Sequence, residues 1–67
     1  MNAIAKYRVW ISFYGPVGTF DHLADAVSAL KANIYTPDDF GFIKDCLYHE
    51  DTYRTSYGYH SATIDMV

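Results

Sequence analysis

The side chains able to do chemistry are few. One thiol, Cys46, is followed three residues later by His49, and a further imidazole, His60, stands beyond it. A C-x-x-H pair with one later histidine offers three ligands, whereas a closed structural zinc site takes four. An Asp or Glu would have to complete it, so the expectation is no metal and an ordinary free thiol. A nucleophilic cysteine needs an electropositive setting to shed its proton. Asp45, Glu50 and Asp51 surround Cys46 in sequence and push the other way. The carboxylate pairs Asp38-Asp39 and Glu50-Asp51 suggest acid/base work or a cation site, but adjacent residues rarely converge on one substrate. A chain of 67 residues also has little room for a deep pocket. Gly15-Pro16-Val17-Gly18 precedes a helical pattern without the lysine of a P-loop or a GxGxxG spacing. The residues therefore point to no enzyme and no cofactor.

What remains is charge and aromatic surface. Residues 1–32 carry Asp21 and Asp25 against Lys6, Arg8 and Lys31, a net of +1. Residues 33–67 carry Asp38, Asp39, Asp45, Glu50, Asp51 and Asp65 against Lys44 and Arg54, a net of −4. A localised negative field repels nucleic acid and attracts basic surfaces. Lys6, Arg8 and Trp10 combine charge with a stacking ring, but five basic residues against eight acidic ones are too few for the usual neutralisation of phosphates, so no direct nucleic-acid partner is expected. Seven tyrosines and one tryptophan exceed what so small a core can hold. Tyrosine is enriched at interfaces because it gives large contact area with few rotors to freeze. The candidate partner-binding set is Asp38, Asp39, Asp45, Tyr48, Glu50, Asp51 and Tyr53.

The elements that must position this set are those of one small domain, residues 1–67. At this size only about 60% of the unfolded surface is buried, and the lone cysteine excludes an internal disulfide and fits a reducing compartment. The N-terminal apolar run is broken by Lys6 and Arg8, leaving neither a signal-peptide core nor a membrane span, so a soluble, cytoplasmic chain is expected. Residues 5–14 alternate as a half-buried strand, with Tyr7, Val9, Ile11 and Phe13 on one face and Arg8, Trp10 and Tyr14 on the other. Gly15 to Gly18 has the composition of a turn. Thr19 is placed to cap a helix to Asn33 whose stripe is Phe20, Leu23, Val27, Leu30 and Ile34. Thr36-Pro37-Asp38-Asp39 resembles a second helix start, with Thr36 as cap and a helix over 37–47; a strand over 42–49 is the rival. Residues 52–67 read as a hairpin, or as one edge strand bent at Gly58. The fold class is α+β: a small antiparallel sheet of three or four strands with one main helix packed on one face.

In length, α+β build, absence of a catalytic constellation and acidic face, the chain resembles the small phage-encoded anti-CRISPR proteins, particularly inhibitors of type I systems. Thr36-Pro37-Asp38-Asp39 and Tyr48-His49-Glu50-Asp51 carry the resemblance. It implies a monomer acting in the bacterial host cell, and a partial DNA mimic that blocks PAM reading by the large subunit of a type I Cas complex, such as one of type I-C. Its rival is a small structural or regulatory subunit, antitoxin-like or accessory, that completes its core in an oligomer, for which exposed Trp10 and Tyr14 would serve.

Overall fold

The alternation Tyr7-Arg8-Val9-Trp10-Ile11 does what period two requires: Val9 and Ile11 are buried while Arg8 and Trp10 face solvent. In the computed structural model, which describes residues 6–67, this is strand β1 (Tyr7–Ile11). The strand expected to begin at residue 5 thus starts outside the described residues. Next come β2 (Gly15–Phe20), helix α1 (Leu23–Lys31), helix α2 (Phe40–Glu50), β3 (Thr52–Tyr57) and β4 (His60–Met66). The four strands form one antiparallel sheet in the order β2-β1-β4-β3. The α+β class and the single antiparallel sheet are as the sequence indicates, with two helices rather than one main helix over the inner face.

That face is dry because the two layers need one another. Val9, Ile11, Tyr53, Ala62 and Ile64 from the strands meet Ala26, Val27 and Leu30 from α1 and Ile43 and Leu47 from α2. Ile34, in the connection between the helices, closes the same core.

Three local expectations are corrected. Gly15 to Gly18 is not the turn but most of edge strand β2, and the chain reverses one step earlier, at Ser12-Phe13-Tyr14. Glycine and proline are tolerated there because β2 is an edge carrying a bulge opposite Val9 and Trp10. Phe13 leaves the inner face altogether: it sits at the reversal with φ 66° and is 84% exposed. Thr19 belongs to β2, so α1 begins after His22, which makes no side-chain capping bond. Asp21 consequently lies outside the helix and pairs with Lys6 at 2.7 Å.

The second helix exists, and the rival strand over 42–49 does not. Asp39 rather than Thr36 caps it, its Oδ1 accepting the Phe42 N–H at 2.8 Å. The C-terminal third is the hairpin: β3 and β4 join through Gly58-Tyr59, with positive φ at Gly58 alone of the two, as in a type II′ turn. Among the described residues no helix is long and apolar enough to cross a membrane.

Candidate acidic interaction surface

Helix α2 positions most of the candidate set. Its inward stripe, Ile43 and Leu47, docks on β3 and β4, which leaves Phe40, Phe42, Lys44, Asp45, Tyr48, His49 and Glu50 outside. Eleven residues at 1.5 Å each make a rod about 16 Å long. Asp39 stands at one end, Asp45 near the middle, and Glu50 and Asp51 at the other. The two acidic pairs of the sequence are therefore not one cluster but the two ends of a helix.

Their electrostatic situations differ. Asp39 lies at the positive end of the helix dipole and is committed to its cap. Glu50 and Asp51 lie at the negative end, where a carboxylate is disfavoured. Asp51 terminates the helix in the left-handed region at φ 64°, its N–H bonding to the Leu47 carbonyl at 2.9 Å. Among the described residues the ion pairs are Lys6 with Asp21 and the longer Arg8 with Asp65 at 3.8 Å. Neither uses a carboxylate of α2. Lys44, the helix's own lysine, instead lies over the Tyr48 ring, 5.6 Å from its centre.

Tyr53 is the correction within the set. It is 1% exposed and belongs to the core, because strand parity turns it inward with Thr55 while Arg54 points out. Its hydroxyl donates to Asp38 Oδ2 at 2.7 Å and lies 2.8 Å from the buried Thr36 hydroxyl. Thr36 in turn accepts the Asp38 N–H at 3.2 Å and the Thr55 hydroxyl at 3.4 Å. Asp38 is thereby drawn half inside, as a structural acceptor. Burial, offset in part by the bonds to Thr36 and Thr55, pushes the Tyr53 phenol upward. The exposed remainder is Asp39, Asp45, Tyr48, Glu50 and Asp51.

The thiol and the histidines are not brought together. Cys46 and His49 share α2, whereas His60 begins β4 and packs edge-on against Phe13, ring centres 5.4 Å apart. Among the described residues no group of three His, Cys, Asp or Glu is placed to hold a metal ion. Burial first, then Glu50, Asp38 and Asp45, hold the Cys46 thiol in its protonated form.

Space also groups the charges differently from sequence. Residues 21–51, the helices and their connections, hold Asp21, Asp25, Asp38, Asp39, Asp45, Glu50 and Asp51 against Lys31 and Lys44, a net of −5. The strands hold Lys6, Arg8 and Arg54 against Asp65, a net of +2, counting Lys6 just ahead of β1. On the open side of the sheet Trp10 lies level with Thr63, and Thr63 with Arg54, leaving the indole 41% exposed.

A second surface was read only in part from the sequence, which offered Tyr14 together with Trp10. Phe13, Tyr14, Tyr57 and Tyr59 are all exposed in or beside the two hairpin turns, Tyr59 to 95%. Tyr35 packs edge-on against Tyr57, ring centres 5.2 Å apart. Phe13, Tyr14, Asn33 and His60 line a shallow cleft of about 220 Å³. The available signal was the bulky Phe-Tyr pair directly before Gly15, which a continuing strand would have kept in register. No protein-family model, curated protein or solved structure matches the chain.

Proposed function

We propose that the chain is a non-enzymatic inhibitor whose helix layer docks on the basic, nucleic-acid-binding surface of another protein. The supporting observation is the set Asp39, Asp45, Glu50 and Asp51, exposed at the two ends and on the outer side of α2: none is paired with a cation among the described residues, and two stand where the helix dipole opposes them. Carboxylates held at intervals along a short rigid rod present what a stretch of phosphates presents, and Tyr48 adds contact area beside them. With the type I anti-CRISPR resemblance, the partner is the PAM-reading large subunit of a type I surveillance complex, met in the bacterial cytoplasm. The test is capture of such a complex, with and without its target DNA, by the immobilised chain. Capture of the DNA-free form alone is expected. Equal capture of both forms removes nucleic-acid mimicry.

Exposed Trp10, Phe13, Tyr14 and Tyr59 favour a second reading, a subunit that covers these rings in an oligomer. Mass in solution separates the two: a monomer goes with the inhibitor, an obligate dimer with the subunit.

A further inference from the structure

The two edges of the sheet are unequal. On β2, Pro16 removes a backbone donor and the bulge interrupts the register, both devices that discourage strand addition. Strand β3 has neither: Thr52-Tyr53-Arg54-Thr55-Ser56-Tyr57 contains no Pro or Gly and pairs with β4 in unbroken register.

Which of its backbone groups are free follows from the ladder. The Met66 N–H bonds to the Asp51 carbonyl at 3.0 Å, and Lys6 exchanges both bonds with Val67 at 3.1 and 2.8 Å. Antiparallel pairs alternate. Residues 61, 63, 65 and 67 therefore bond towards β1, and 60, 62, 64 and 66 towards β3. On β3 the inward-bonded residues are 53, 55 and 57, and the N–H and C=O of Thr52, Arg54 and Ser56 point outward. Among the described residues nothing bonds to them, and Arg54 and Ser56 are exposed.

We infer that this edge takes an extended, lysine- or arginine-bearing segment of the partner as a fifth strand. The inference rests on the acidic-surface reading and gives that surface a second, backbone-directed component. Continuity supports it: β3 begins directly after Glu50-Asp51 and packs against α2, so an added strand runs beside the acidic helix. Charge sets its pattern. Alternate side chains of the added strand fall on the α2 side, where basic residues meet a net −5, and the others fall beside Arg54, where neutral or acidic residues fit. A second copy fits poorly. The self-paired register that uses all of residues 52, 54 and 56 sets Arg54 opposite its own copy, a like-charge pair. Strand addition of this kind draws affinity from main-chain hydrogen bonds and specificity from alternate side chains.

The test uses the full chain and an eight-residue, end-blocked peptide alternating lysine and threonine, followed by amide NMR at low salt. Shifts at the Thr52, Arg54 and Ser56 amides are expected. Methylating the peptide amides that face β3 should weaken binding by about tenfold or more. Ser56→Pro should do the same while keeping the wild-type thermal midpoint, because that N–H does not serve β4, whereas Thr55→Pro should unfold the hairpin. Equal affinity for the methylated peptide, no binding, or doubling of mass through the same amides without peptide overturns the edge assignment. Shifts confined to α2 overturn it too, yet leave the acidic surface standing. Equal edge binding by a glutamate-for-lysine peptide keeps the edge and removes the basic partner.

Discussion

At the residue scale, Tyr53 decides more than any carboxylate. Its hydroxyl bonds to Asp38 and Thr36 beneath β3, and Thr36 accepts the Thr55 hydroxyl, tying the connection between the helices to the sheet. Tyr53→Phe deletes a donor to a half-buried carboxylate and should lower stability by about 1.5–3 kcal/mol in urea unfolding. Because burial raises the phenol's pKa in the folded state, the protonated ring is favoured there. Its contribution is complete below the unfolded value near 10.0 and is lost as pH climbs towards the folded value. Alkaline unfolding should thus begin near that pH and change shape in Tyr53→Phe; identical wild-type and variant profiles would contradict the network. Phe13 is the opposite case. A bulky ring held at φ 66° carries strain of roughly 1 kcal/mol and buries little in return. Phe13→Gly should raise the thermal midpoint by a few degrees, the relief of backbone strain outweighing the lost edge-on contact with His60. The sequence displayed Tyr53 among acids and hid its orientation, which depends on the parity of a strand whose start was not fixed by any turn signal.

At the element scale, periodicity was legible wherever one face is buried and the other wet. The alternation of β1 and, from the helical stripe, Val27 and Leu30 with half-buried Leu23 appear as read, because burial in a two-layer domain imposes both, whereas Phe20 lies in β2 and Ile34 beyond the end of α1. Boundaries were less legible. Gly-Pro-Val-Gly has turn chemistry, but an edge strand needs only half its backbone groups paired, so β2 could keep these residues. Thr36 looks like a cap and is instead buried in the Tyr53 network, leaving the capping to Asp39 three residues later. The packing of α1 on the sheet gives a direct prediction. Leu30 is wholly buried where α1 meets the shared core, so Leu30→Ala should cost about 2–5 kcal/mol. A domain this small has little more than that to lose. Circular dichroism should show a largely unfolded chain at 37 °C; an unchanged midpoint would mean that α1 does not pack as described.

At the scale of the whole molecule, the partition of charge between the layers could not be seen in the chain's two halves. Arg54 sits in the acidic half of the sequence but belongs with Arg8 on the strands, while Asp25, in the other half, belongs on α1 to the same helix layer as the acids of α2. The helix side of the body is then far more negative than the sheet side, an asymmetry that orients it before contact. Docking through the helix layer should therefore weaken steeply as salt rises, since the Debye length falls from about 10 Å at 0.1 M to about 3 Å at 1 M. Single charge reversals at Asp45, Glu50 or Asp51 should each matter little, because an exposed pair contributes only about 0.2–1 kcal/mol. The triple reversal Asp45→Lys, Glu50→Lys and Asp51→Lys changes the net charge by six and should slow association far more than it speeds dissociation. Arg8→Glu and Arg54→Glu make the molecule still more acidic without touching α2, so they should preserve or quicken association. If stopped-flow rates fall equally for both sets, the attraction is not directional, and the acidic helix layer is not the face that meets the partner.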